Sequence, residues 1–244
     1  MLGLTTLQAM ALGALLLCMI VAAGVLDRRF PLPGLVSRLW RRLRPPSETI
    51  EGYQHPDLVD VVFRKASAYT ARGEWPEMVG VASVLDFGGG FGDHYKLARL
   101  QSPNIKWAVV ETPAMVARAA ELCTDRLGFF SSIATAAAWL GSVEVMHSSG
   151  ALQYTPEPDV TLRELCGLRA KRMLWQRMAL STDRLERDMQ SSNLGDNGPG
   201  RLAGLKEKIV LYERTKLPEQ IFLDAHKGYE LTARGTDWFH FTLQ

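Results

Sequence analysis

Residues 84–92 read Val84-Leu85-Asp86-Phe87-Gly88-Gly89-Gly90-Phe91-Gly92. Val84–Phe87 has the composition of a buried strand end, and the alternate glycines Gly88, Gly90 and Gly92 turn the chain into a helix expected from Asp93. Glycine serves such a turn because it tolerates positive φ and lets a ligand approach backbone that carries no Cβ. The spacing excludes two common phosphate loops. A G-x-G-x-x-G fingerprint needs glycine where Asp93 stands, and no G-K-[ST] follows to make a P-loop. What remains is D-x-G-x-G-x-G. A glycine cluster alone can be a tight strand-to-helix turn and nothing more, so the residues that follow decide. Lys106–Glu111 reads as the next short strand, ending in an acid 25 positions after Asp86. In open α/β sheets an acid roughly 20 residues past the loop takes ribose hydroxyls. Thr112-Pro113 then opens a helix with Met115, Ala119 and Leu122 at helical spacing.

The loop resembles the S-adenosylmethionine (SAM) loop of Rossmann-like methyltransferases. In chain order with Val110-Glu111-Thr112-Pro113-Ala114, Phe129-Phe130-Ser131-Ser132 and Ser149-Gly150-Ala151-Leu152-Gln153-Tyr154, it is similar to a group of class I methyltransferases whose members often accompany polysaccharide-synthesis enzymes. The likeness runs from about Val84 to the C-terminus and is clearest over Val84–Pro156. It implies an α/β fold with a mostly parallel seven-strand sheet, helices on both faces and SAM as methyl donor. The implied cofactor positions are Asp86, Gly88, Gly89, Gly90, Gly92, Glu111, Thr112 and Ser148. Many methyltransferases hold adenine with an acid after the third strand; this chain has Phe130-Ser131-Ser132 there, so Ser131 and Ser132 are expected to contribute backbone and hydroxyl contacts instead.

The N-terminus carries a different signal. Residues 1–26 hold no charged side chain, and Ala9–Leu26 is an unbroken apolar or glycine run, about 27 Å long as a helix. No basic residue precedes it, as a cleaved signal peptide would require. Six arginines follow it before Pro46, against Asp27 alone. The expectation is a single transmembrane anchor (1–26) whose C-terminal flank stays cytoplasmic. A basic juxtamembrane segment (27–46) includes an amphipathic helix over Gly34–Arg44, and its arginines favour anionic lipid over nucleic acid, for want of interleaved aromatics. Residues 1–44 would thus meet the bilayer, with the catalytic domain at 47–244. The chain is +2 overall and residues 1–46 account for +5, leaving the domain at −3. The basic balance therefore belongs to the anchor and implies no polyanionic substrate.

Cys18, Cys123 and Cys166 show no paired or metal-type spacing, so reduced thiols and no metal are expected. Further elements read as a helix over Asp57–Gly73, strands over Val143–His147 and Arg172–Ser181, and a last helix over Leu217–His226 before two closing strands. Asp188–Leu205 has no core-forming pattern and reads as a loop, a candidate lid over the acceptor. Methyl transfer needs alignment first and, for a hydroxyl acceptor, a base. His147 is the first candidate base and His94 the second. Tyr154 and Arg177 are candidate contacts to a small-molecule or glycan acceptor. Two other readings stay open: a non-catalytic SAM-binding or scaffold module, and an NAD-dependent sugar oxidoreductase, which the glycine spacing opposes.

Overall fold

The computed structural model describes residues 48–206 and 208–244. The expected membrane span and amphipathic helix lie outside the described residues. Among the described residues no helix is long and apolar enough to cross a membrane.

Seven strands form the main sheet: β2 (Ser83–Phe87), β3 (Lys106–Val110), β4 (Leu127–Phe130), β5 (Val145–Ser149), β6 (Arg172–Gln176), β10 (Tyr229–Arg234) and β11 (Phe239–Leu243). Their order is β10-β11-β6-β5-β2-β3-β4. Strands β4 to β6 run parallel through β3, β2 and β5, and β11 is antiparallel to both β6 and β10. This is the mostly parallel seven-strand sheet that the resemblance implied. Strands covered on both faces read as continuous apolar runs. Accordingly Val84 and Leu85 are fully buried in two separate cores, one on each face of the sheet. Trp107 and Trp175, also without exposure, anchor those two faces, and burying side chains of this size contributes about 2–3 kcal/mol each.

The crossing helices are α1 (Pro56–Ala68), α2 (Asp93–Gln101), α3 (Pro113–Ala119), α4 (Ile133–Leu140), α5 (Pro158–Gly167) and α6 (Glu219–Ala225). Helix α1 starts at a His55 cap with Pro56 in its first turn and ends at Tyr69. It stops short of the expected Gly73 because Tyr69 turns extended and the Lys96 ammonium takes the carbonyls of Ala66 and Tyr69.

Three expectations are corrected here. Strand β5 sits two residues later than expected: Glu144 is held outside it by the Ser83 hydroxyl, the Ala82 N–H and Lys171, so Ser148 and Ser149 complete the strand. Strand β6 ends at Gln176 because Arg177 adopts a left-handed φ of 51°; Leu180–Ser181 is a separate strand, β7. The segment read as a loop begins as a strand. Residues β8 (Glu186–Asn193) pair antiparallel with the long β9 (Ile209–Pro218), and β9 also pairs with β1 (Thr49–Glu51) and β7 to make a second, four-stranded sheet. Cross-strand ion pairs, Glu186 with Lys216 and Asp188 with Arg214, stabilise a ribbon that has little apolar content on β8.

Candidate active site

A cavity of about 670 Å³ opens at the carboxyl ends of the parallel strands, where β2 lies between β3 and β5 and the strand order reverses. Ligands of open α/β sheets bind at this switch point. Phe87–Gly90 leave β2, Val110–Thr112 leave β3, Ser149–Ala151 leave β5, and Gln176–Arg177 leave β6, all lining one space. Tyr53, Val62, Tyr69 and the Asp196–Pro199 segment form the opposite wall.

The glycines divide by purpose. A Cβ on Gly88 would collide with Ala151, and one on Gly89 with the Asp86 carboxylate, so both are required by the fold. Gly90, at φ 57°, would place a Cβ where no protein atom lies within 4 Å, on the cavity wall. Its N–H donates to Glu111 Oε1 (3.0 Å), and the Thr112 N–H donates to Oε2 (2.9 Å). Burial raises the Glu111 pKa and these two backbone donors pull it back. Each carboxylate oxygen keeps further acceptor capacity for a hydroxyl on the ligand side.

Asp93 begins α2 and lines the cavity. Burial pushes its pKa up to about 6 despite His94 and Lys96 nearby, and its Oδ1 is buried without a partner. The Thr112 hydroxyl is likewise buried and unpartnered. Asp93 thus brings a second carboxylate to the cavity lining at the first turn of the glycine-loop helix, with one of its oxygens buried and unpartnered.

Asp86 lies behind that wall, fully buried. Its Oδ1 meets His147 Nδ1 at 2.7 Å, and its Oδ2 meets His94 Nδ1 and Trp107 Nε1, each at 3.2 Å. An ionised carboxylate only accepts, so both histidines carry their proton on Nδ1 and keep Nε2 free when neutral. Burial would raise the Asp86 pKa, but His147 and His94 hold it well below the usual carboxylate range. The two rings then diverge. Burial lowers the His147 pKa; at His94 burial also lowers it, but Asp86 and Asp93 together outweigh that and raise it. Among the described residues these three side chains are the one group with ligand atoms close enough for a metal, within 4.8 Å of one another.

The expected site residues therefore separate. Gly88, Gly89, Gly90, Glu111, Thr112, His94, Tyr154 and Arg177 line the cavity. His147, expected as the foremost base, does not: it sits mid-strand opposite Asp86 with no exposure, among Trp75, Trp107 and His94. Asp86 faces the same buried cluster rather than the cavity, and Ser148 is fully buried. Gly92 packs toward Leu127 and Phe129 as the cap of α2. Ser131 is exposed away from the cavity, and Ser132 spends its hydroxyl capping α4 at Thr135. Asp93 and Tyr53 line the cavity without having been singled out; the signal for Asp93 was an acid immediately after the last loop glycine, where a phosphate loop carries none.

Residues 194–199, expected as part of a loose lid, are pinned. Lys65, 3% exposed, donates to the carbonyls of Gly195 (2.8 Å) and Asn197 (2.6 Å). Tyr212 donates to Asn197 Oδ1, and Leu194 is buried in the core. The chain also has one Tyr-x-x-x-Lys spacing, Tyr212 and Lys216. It lies on strand β9, with the Tyr212 hydroxyl on Asn197 and Lys216 paired with Glu186, so neither reaches the cavity as an oxidoreductase pair would.

No family model and no curated protein matches the chain. Solved structures do. The sugar N-methyltransferase KedS8 from Streptoalloteichus sp ATCC 53650 is 17% identical over 78% of this chain and 87% of that one, with a TM-score of 0.45. The amino pentose methyltransferase CalS10 from Micromonospora echinaspora is 16% identical over 86% and 97%, with a TM-score of 0.45. The glycopeptide N-methyltransferase MtfA is 13% identical over 80% and 91%, at 0.43. Identities this low and superpositions this loose transfer no residue role, so the functional reading rests on the cavity's own geometry.

Proposed function

We propose that the chain is a SAM-dependent methyltransferase acting on a hydroxyl of a small-molecule or glycan acceptor. The observation that carries this is the pair of carboxylates, Asp93 at the start of α2 and Glu111 after β3, that line the cavity beside a Cβ-free loop. A dinucleotide's pyrophosphate would seat at that helix N-terminus and meet a buried negative charge; a nucleoside with a cationic amino-acid tail is attracted by it. SAM supplies a methyl group on a sulfonium. Glu111 accepts from ribose hydroxyls, Asp93 accepts from the ammonium, and the Gly88–Gly90 backbone allows close approach. With SAM bound, His94, 30% exposed and oriented by Asp86, would serve as the base that takes the proton of the acceptor hydroxyl. Its raised pKa requires deprotonation first, so the rate should rise with pH through that pKa.

Calorimetric titration of SAM, S-adenosylhomocysteine and NAD into the full chain tests the reading. SAM and S-adenosylhomocysteine should bind with micromolar affinity. Glu111→Gln should weaken both by about 10- to 100-fold, the worth of one charge-assisted hydrogen bond of about 1.5–3 kcal/mol. Binding of NAD alone would replace the class, and no binding by the folded chain would favour the scaffold reading.

The membrane anchor at residues 1–26 belongs to the same proposal, on sequence grounds. Resistance of the full chain to alkaline extraction from membranes, lost when residues 1–46 are removed, checks it.

A further inference from the structure

Arg177 lines the cavity, and among the described residues no carboxylate supplies it with a counter-charge. It leaves β6 with a left-handed φ of 51°, a conformation that costs a non-glycine residue energy and that clusters at ligand sites. Its Nε donates to the Ser149 hydroxyl and its Nη2 to the Ser149 carbonyl, both at 2.9 Å. The guanidinium packs against Gly150, where a Cβ would press on the Arg177 side chain at 3.4 Å. These contacts fix its plane, and among the described residues Nη1 has no acceptor. Among the described residues no carboxylate forms an ion pair with it. Arg177 is an exposed residue of the cavity wall, and a guanidinium held this way is preorganised for bidentate recognition of a carboxylate or phosphate.

Its position separates it from the donor's nucleoside end. Glu111 follows β3 and Arg177 follows β6, three strand spacings apart in the sheet order, or about 14 Å. Tyr53 and Tyr154 line the same cavity, and Gln153, next to Tyr154, donates to the Arg177 carbonyl. The two tyrosine rings stand 5.3 Å apart and give a partly apolar wall suited to the C–H face of a sugar. Resting on the methyltransferase reading, we infer that the acceptor is an anionic saccharide, its oxyanion held by Arg177 and its ring set against Tyr53 and Tyr154.

The test separates this inference from the reading beneath it. S-adenosylhomocysteine is titrated first into wild type and Arg177→Met. Absence of binding to wild type removes the methyltransferase reading and the inference with it. With S-adenosylhomocysteine saturating, ligand-observed NMR then compares glucuronate, glucose 1-phosphate and glucose. At least one charged sugar should bind ten times more tightly than glucose. Arg177→Met should erase that preference and change S-adenosylhomocysteine affinity by less than twofold. Preference for glucuronate over glucose 1-phosphate identifies a carboxylate as the partner, and the reverse a phosphate. Equal or absent binding of the charged sugars overturns the inference, as does a charge preference that survives in Arg177→Met. A tenfold loss of S-adenosylhomocysteine affinity in Arg177→Met, without loss of 5′-methylthioadenosine affinity, also overturns it, because Arg177 would then hold the donor's own carboxylate.

Discussion

Gly90→Ala should lower affinity for S-adenosylhomocysteine by 100-fold or more while leaving the protein folded. The added Cβ meets no protein atom within 4 Å, so it cannot disturb the core. It projects from the cavity wall at the point where the loop backbone must lie against a ligand. Displacing a nucleoside by a methyl group's width separates it from the Glu111 carboxylate on one side and the Asp93 oxygen on the other. Loss of two charge-assisted hydrogen bonds, each worth about 1.5–3 kcal/mol, accounts for the expected factor. The backbone cost is separate. Alanine at a left-handed φ costs about 1–2 kcal/mol wherever it stands. Gly80, at φ 73° with equally open surroundings and off the cavity, measures that cost alone when replaced by alanine. The two variants should melt within a few degrees of each other, and binding should be lost in the first and kept in the second. Wild-type affinity in Gly90→Ala would mean that the glycine loop is a turn and not a cradle. The same substitution at Gly88 or Gly89 would be uninformative, since Ala151 and Asp86 already occupy the space.

That contrast marks how far the sequence could be read. The order of strands and helices from Val84 to Ser149 was legible because parallel strands covered on both faces leave near-continuous apolar runs between helical stretches. Glu111 was legible because its place at a strand end follows from the loop's spacing. The second sheet was not. Strand β8 reads Glu-Arg-Asp-Met-Gln-Ser-Ser-Asn and has almost no apolar face, so its pairing depends on charges supplied some 26 to 30 positions later by Arg214 and Lys216. No local pattern carries that information, and Lys65, which pins residues 195–197 from a helix 130 positions earlier, is equally invisible locally. The placement of Asp86 and His147 was hidden for a related reason. Asp86 stands one residue before the carboxyl end of β2 and His147 at the middle of β5, both polar residues within largely buried strands. Only the register that puts them opposite each other, beneath α2, shows that they face one another.

Asp86→Asn should therefore destabilise the protein by about 3–5 kcal/mol, the cost of removing one partner from a buried charged network. Three donors converge on this carboxylate: His147 Nδ1, His94 Nδ1 and Trp107 Nε1. Asparagine keeps one acceptor oxygen and turns the other position into a donor that faces a donor. With no exposure, the site offers little water to make up the loss. For a domain of this size, 1 kcal/mol corresponds to about 2–4 °C, so the melting temperature should fall by roughly 6–20 °C. The histidines report the same event by titration. Asp86 is the main cause of the raised His94 pKa, opposing the effect of burial. A group whose folded pKa is raised gives stability that is present below its unfolded pKa and is lost as pH rises through the folded value. Wild type should thus lose the His94 contribution as pH rises through the raised His94 pKa, and the variant should not. In turnover, the rising limb of the pH–rate profile should move to lower pH in the variant, because His94 deprotonates earlier, while the maximal rate falls as the ring loses its orientation. S-adenosylhomocysteine affinity at a temperature where the variant is folded should stay within a few-fold of wild type, since Asp86 does not line the cavity. A melting temperature within 2 °C of wild type would dissolve the buried network as a stabilising element. A folded variant that no longer binds S-adenosylhomocysteine would instead return Asp86 to the donor site, and His94 would lose its claim to be held in place as the base.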